Sequence, residues 1–291
     1  MRVLVFGAGG FLGAAVVKEL AEHGHEVLDG SDLATGKRID LLDAEAVETY
    51  LHNALPEVIV NCAGIVGASV NVDSNARLTE NILSAVKGLP KPMPRVIITG
   101  SAAEYGQVAD LPVNEEAPFN AAGAYALSKV KEEQIALAMA EANSIDVTIV
   151  RLFNAVGPGM KSKFLIPGLL RQIKACQQGT EDSIELSRLD SARDYVDVRD
   201  VAQAYRLLIE SKPARQVYNI GSGVSTTNGE ILEMLIKNCT IPTRPKIVET
   251  LSEPEVTVAC QAEISRISQE FGWKPAHSLE QTIKDITDAT N

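Results

Sequence analysis

Residues 3–13 read VLVFGAGGFLG. Four apolar residues, two of them valine, suit a strand buried on both faces. Gly7, Gly10 and Gly13 follow at once, and then Leu12, Val16 and Leu20 recur at helical spacing. A strand that turns directly into a helix brings unpaired backbone N–H groups to the strand's end, where they favour an anion. Gly7 permits the tight turn, Gly10 lets the backbone approach a pyrophosphate, and Gly13 lets the helix pack on the sheet. The spacing is G-x-x-G-x-x-G, with Gly9 also present. At the first strand, with Phe11 and Leu12 opening the helix, it reads as a dinucleotide-binding loop.

The pattern continues outward from that loop. Apolar strands at 25–30, 57–64, 95–101 and 146–154 alternate with helices at 11–23, 44–55, 72–87 and 121–143. This predicts an α/β protein with a Rossmann, doubly wound parallel sheet covered on both faces. Beyond Asn154 the alternation loosens. Helices are expected at 164–176, 198–211, 227–238, 262–271 and 278–289, with strand and loop at 184–200 and a strand at 216–223. The expected division is an NAD(P)-binding domain over 1–155, to which 195–220 returns, and a smaller substrate-binding lobe over most of 156–291.

Twenty-seven Lys and Arg against 38 Asp and Glu leave a net charge of −11, which disfavours nucleic acid as a partner. No apolar run reaches the length of a membrane span, and the N-terminus reads as a strand rather than a leader, so a cytoplasmic protein is expected. Cys62, Cys176, Cys239 and Cys260 and the four histidines show no ligand spacing, so no metal is expected. The implied partner is a small molecule.

The second strand should choose the cofactor. It ends in Asp29, Ser31 and Asp32. Ser31 at the usual acidic position tolerates a 2′-phosphate, with Lys37 or Arg38 to pair with it, and this favours NADP(H). Asp29 or Asp32 on the ribose would instead mean NAD. Asp40 and Leu41 are placed at the adenine edge, although Asp40 equally suits a cap for the helix at 44–55. Ala63 and Gly64 close the third strand with residues small enough for a cofactor to lie against.

Ser101 falls at the carboxyl end of the fourth strand, where ligands bind in such sheets. Tyr125 and Lys129 lie four apart, on one face of a helix. A free phenol has a pKa of about 10, and a neighbouring ammonium and an oxidised nicotinamide both favour its anion. Tyr125 can then exchange a proton with a carbonyl oxygen while the nicotinamide exchanges hydride with its carbon. Lys129 can also hold the nicotinamide ribose, and Ser101 can hydrogen-bond the reacting oxygen.

With GAGGFLG, GSAAEYG (100–106), YALSK (125–129), RLFNAVGPG (151–159), RDYVDVRDVAQA (193–204), YNIGSG (218–223) and FGWKPAHSLEQTI (271–283), the chain resembles the extended short-chain dehydrogenase/reductases over nearly its whole length. This is the family of nucleotide-sugar epimerases, dehydratases and reductases. The sugar dehydratases of that family carry a Glu where Ala103 stands, and Glu104 is one residue too late. The fucose-forming epimerase-reductases carry a Cys at Ala103 and a His at Phe164. The resemblance therefore implies simple hydride transfer, with the 4-keto-6-deoxyhexose reductases most similar. The alternatives are a nucleotide-sugar 4-epimerase with tightly bound NAD+ and a non-catalytic NAD(P) sensor. It further implies that Asn154 and Arg193 meet the substrate, with a structural pair to Asp194 or Asp197 as the competing reading for Arg193. Tyr105 would pack against nicotinamide or substrate. No Arg or Lys occurs in 249–258, where many relatives place a phosphate-binding Arg. The helices at 72–87 and 121–143 could pair with a second copy as a four-helix bundle.

Overall fold

The structure is a computed structural model, and it is described over residues 1–31, 36–67, 70–108, 110–162, 164–239, 244–250 and 259–290. The first half alternates as expected: β1 (Arg2–Phe6), α1 (Phe11–Glu22), β2 (Glu26–Leu28), α2 (Ala44–Ala54), β3 (Val58–Asn61), α3 (Ser74–Gly88), β4 (Arg95–Thr99), α4 (Gly123–Asn143) and β5 (Val147–Leu152). Then come β6 (Asn154–Val156), α5 (Leu165–Gln177), β7 (Ser183–Leu186), β8 (Ala192–Asp197), α6 (Val198–Glu210) and β9 (Val217–Ile220). The chain ends through β10 (Ser225–Thr227), α7 (Asn228–Asn238), β11 (Lys246–Glu249), α8 (Ser265–Phe271) and α9 (Leu279–Thr290).

Six strands form one parallel sheet in the order β2-β1-β3-β4-β5-β9. The side-chain period of two explains why its strands are apolar throughout. In β1, Leu4 and Phe6 face a core shared with α2, α3 and α4, while Val3 and Val5 face a core shared with α1 and α6. Chain order reverses between β1 and β3, so the connections leaving those two strands part and open a crevice at their carboxyl ends.

The second half builds the smaller lobe. β6, β8 and β10 form one small sheet and β7 and β11 another. Helices α5, α7 and α9 bury Leu169, Ile173, Leu235 and Ile283 in its own core. The stretch expected as strand and loop at 184–200 resolves into β7 and β8, which enter different sheets. The three-residue β10 and the half-exposed β11 went unread because neither carries an apolar run long enough to register. No helix among the described residues is long and apolar enough to cross a membrane.

Candidate active site

The glycine loop lies at the crevice, and Gly7 and Gly13 are structurally required. Gly7 has φ +78°, and a Cβ there would fall 2.7 Å from the Ala63 nitrogen. A Cβ on Gly13 would fall 2.1 Å from the Gly7 carbonyl oxygen. Gly10 caps α1 with no side-chain bond, leaving the first N–H groups of α1, including those of Phe11 and Leu12, for an anion. Beside the loop a hollow of about 270 Å³ is lined by Asp29, Arg38, Asp40, Leu41, Ala63 and Gly64, among others. Its size and position suit an adenosine. Asp40 does not cap α2: its carboxylate accepts from the Leu42 N–H, and Asp43 is the cap. Ser31 is bridged to Arg38, and its N–H donates to Asp29. Asp32 lies outside the described residues.

A larger cleft of about 900 Å³ runs from Gly64 past β4 and β5 to the small lobe. It brings together Ser101, Tyr125, Lys129, Asn154 and Arg193. Each of the first three is a residue held by hydrogen bonds. Ser101 starts a single 3₁₀ turn (Ala102–Tyr105), and its Oγ accepts from the Ala103 N–H at 3.2 Å. A hydroxyl held as acceptor still has its proton to donate into the cleft. The Lys129 ammonium, 4 % exposed, donates to the Thr99 carbonyl at 2.8 Å and to Glu132 at 2.7 Å. Tyr125 sits in the first turn of α4, where its carbonyl accepts from Ser128 Oγ. Ser128 in turn accepts from Asn75, a fully buried residue of α3 that bonds both backbone groups of Ile65. Asn75 thereby ties the cleft floor to the tyrosine helix, and sequence reading passed over it. The only signal was an amide at the start of an amphipathic helix.

The 3₁₀ turn also corrects the reading of Tyr105. That side chain is wholly buried, donating to Asn219 at 2.6 Å and accepting from Arg151 at 3.0 Å, so it packs under the cleft rather than against a ligand. One turn separates it from Ser101, and the turn aims the two in different directions. Glu104 is buried in the same network. It accepts from the Ser101 N–H at 2.7 Å and lies 3.6 Å from Arg151. Burial, and then the neighbouring Glu133, holds its carboxyl well above the usual range.

On the small-lobe side, Asn154 donates to the Asp194 carbonyl and Arg193 to Ser191 and the Ala192 carbonyl. The carboxylates expected to compete for Arg193 are committed elsewhere. Asp194 accepts from the N–H groups of Ser222, Gly223 and Ala262, and Asp197 is bound by Arg199 and Thr282. The stretch without cations falls largely outside the described residues.

No carboxylate or imidazole is among the described residues lining this cleft. Its two thiols are poor proton exchangers near neutrality, since burial pushes Cys62 up to about 12 and Cys260 up to about 11. The other titratable side chains among the described residues lining it are Tyr125, Lys129 and Arg193.

A model of the NAD dependent epimerase/dehydratase family matches residues 3–221. The chain belongs to that family. It is an NAD(P)-dependent enzyme of the oxidoreductase and epimerase kind. Over its length it is similar to GDP-6-deoxy-D-mannose reductase of Pseudomonas aeruginosa, at 30 % identity covering 98 % of this chain and 95 % of that one. UDP-glucose 4-epimerase of Corynebacterium glutamicum is 26 % identical, covering 97 % and 93 %. Among solved structures, RMD from Pseudomonas aeruginosa complexed with NADPH superposes with a TM-score of 0.88 at 27 % identity, covering 99 % and 98 %. The Thermus thermophilus UDP-glucose 4-epimerase complex with NAD gives 0.82 at 25 %, covering 99 % and 98 %.

Proposed function

We propose that the protein reduces the 4-keto group of a nucleotide-linked 6-deoxy sugar to the alcohol. The observation that carries this reading is the cleft wall, where Ser101, Tyr125 and Lys129 lie together with no carboxylate or imidazole among the described lining residues. Bound NAD(P)H supplies the hydride. Ser101 Oγ, fixed by the Ala103 N–H, donates to the carbonyl oxygen and polarises it. Tyr125 gives its proton to that oxygen as the alcohol forms. Lys129 holds the ribose of the nicotinamide half and favours the phenolate left behind. The small lobe binds the sugar nucleotide, with Asn154 at the sugar and Arg193 at a phosphate, where a guanidinium can give two bonds.

On this reading the cofactor is NADP(H). A Cβ added to Gly9 would fall 1.6 Å from Arg38 Nη2, so the guanidinium lies across the glycine loop. A cation there suits a 2′-phosphate, and one Asp29 oxygen is already bound to the Ser31 N–H. The name of one solved relative specifies NADPH and that of another NAD. Arg38→Ala is expected to raise KM for NADPH while leaving that for NADH little changed. We also propose a homodimer through the outer faces of α3 and α4, where Leu127 is 42 % exposed. A monomeric mass in solution would refute it.

Mixing the purified protein with NADPH and a 4-keto-6-deoxy nucleotide sugar tests the reaction. One NADPH should be consumed for each keto group lost. NAD+ that stays on the protein through desalting, with interconversion of 4-epimers and no net oxidation, would replace this reading with the 4-epimerase. Binding of NADPH without turnover of any such ketone would favour a sensor.

A further inference from the structure

Glu132 stands one turn beyond Lys129 on α4, on the same helical face. Its side chain is 1 % exposed, and its two oxygens are used separately. One accepts from Lys129 Nζ at 2.7 Å, and the other from Thr79 Oγ1 of α3 at 2.8 Å. The second ammonium bond goes to the Thr99 carbonyl at the end of β4. An ammonium has three N–H donors, so two are held by the protein and one remains. We propose that Glu132 is a positioning residue for proton transfer: its carboxylate anchors the Lys129 ammonium and offsets part of the positive charge that Tyr125 faces, so that the phenol keeps the proton reduction needs.

The other titratable groups around the ammonium leave this role to Glu132. Glu104 of the 3₁₀ turn is raised by burial and then by Glu133 and lies 3.6 Å from Arg151, and Cys62, just after β3, is pushed by burial up to about 12. Glu133, on the next position of α4, is bound to Arg151 of β5 by two bonds at 2.6 and 3.0 Å. The α3 residues facing the site, Asn75 and Thr79, carry no charge. Glu132 is thus the carboxylate bonded directly to the ammonium. A bare ammonium beside a phenol favours the phenolate, whereas a carboxylate on the same ammonium opposes it, and the ammonium and carboxylate are both buried from water. An enzyme that begins by oxidising an alcohol needs the phenolate first. One that reduces a ketone needs the phenol. The pair thus biases the site toward reduction, and the inference rests on the reading of Tyr125 as the donor in that reaction.

The test needs no sugar substrate. The ultraviolet absorbance of tyrosinate is followed against pH in the folded protein with oxidised cofactor bound. Subtracting the titration of Tyr125→Phe isolates the active-site phenol. In Glu132→Gln, whose one amide oxygen can still accept from Lys129 while its NH2 donates to the Thr79 hydroxyl, the midpoint should fall by about one pH unit. In Glu132→Asp, where the charge is drawn back by one methylene, it should fall by less. The upper limb of kcat/KM for ketone reduction should move by the same amounts. A midpoint that stays put in Glu132→Gln, even with a lowered melting temperature, overturns the proposal and leaves a merely structural pair. A midpoint that rises also overturns it, since Glu132 would then serve to keep Lys129 protonated. Should Glu132→Gln fail to fold, an unmoved Glu132→Asp has the same force. A shifted phenol in a protein that reduces no keto-sugar nucleotide would sink the proposed function and leave only the coupling of Glu132 to the Tyr125 phenol.

Discussion

On the large-sheet wall of the cleft, Lys129 is 4 % exposed and bonded to β4 and to Glu132, while Ser101 is pinned by its own turn. On the small-lobe wall, Phe164 is 46 % exposed, and Asn154 and Arg193 reach backbone carbonyls of β8. One wall is set from beneath by buried networks that do not depend on what occupies the cleft. The other consists of side chains on β6 and β8 of a small sheet and at the start of α5, and their arrangement can vary without disturbing the core of the large sheet. Chemistry common to many substrates belongs on the first wall, and discrimination among sugars on the second.

That contrast breaks most sharply at Tyr125. Tyr125→Phe removes the proton donor and leaves the ring, so kcat for reduction should fall by about 10²- to 10⁴-fold. Binding of NADPH should hold within a few-fold, as stopped-flow or calorimetric titration would show. Turnover near the wild-type rate would mean that the large-sheet wall does not perform the proton transfer. The network beneath that wall should matter for stability. Arg151 is 5 % exposed and binds Glu133, Tyr105 and the Glu115 carbonyl. Arg151→Met leaves the Glu133 carboxylate buried and unpaired, which costs about 3–5 kcal/mol. A denaturant midpoint that barely moves would show that the wall is held by apolar packing alone.

The same contrast explains what could be read from the chain. The glycine loop and the Tyr125–Lys129 pair are local patterns, in which spacing along one strand-turn-helix or one helical face dictates the geometry. The sheet was legible because its strands are apolar on both faces. Asn75 and Glu132 were not, since their importance comes from contacts with α4 and α3, elements 53 residues apart in the chain at the Asn75–Ser128 and Thr79–Glu132 bonds. Tyr105 was misplaced for the same reason. Its neighbour Ser101 suggested a shared site, but its partner Asn219 arrives from β9, 114 residues later. The small lobe was read least well, because its short strands lack periodicity.

On the small-lobe wall a substitution should act on binding alone. Arg193→Ala should raise KM for the sugar nucleotide about tenfold, the loss of one charge-assisted bond, and leave kcat nearly unchanged. The KM effect should vanish with a substrate fragment that lacks the diphosphate. An equal fall in kcat would place Arg193 in the transition state and blur the division between the two walls.

The smallest expected effect separates the two regions by acid. Asp197 is opposed by burial, yet bonds from Arg199 and Thr282 bring its carboxyl below the usual range. Asp285 of α9 is lowered as well, chiefly by Gln281 and, beyond a small opposing cost of burial, by Arg199. A carboxyl lowered on folding stabilises the fold above its unfolded pKa of about 3.9 and loses that contribution as pH falls through the folded value. This clamp joins α6 to α9 at the back of the small lobe. Glu104, raised on folding, works in the opposite sense: it contributes most in acid and loses that contribution as pH rises toward its folded value. On acidification below about pH 4, amide exchange in α9 should therefore quicken before exchange in α4 does. Simultaneous loss of protection in both helices would mean that the lobe and the large sheet unfold as one unit and that the acid-labile clamp is too weak to part them.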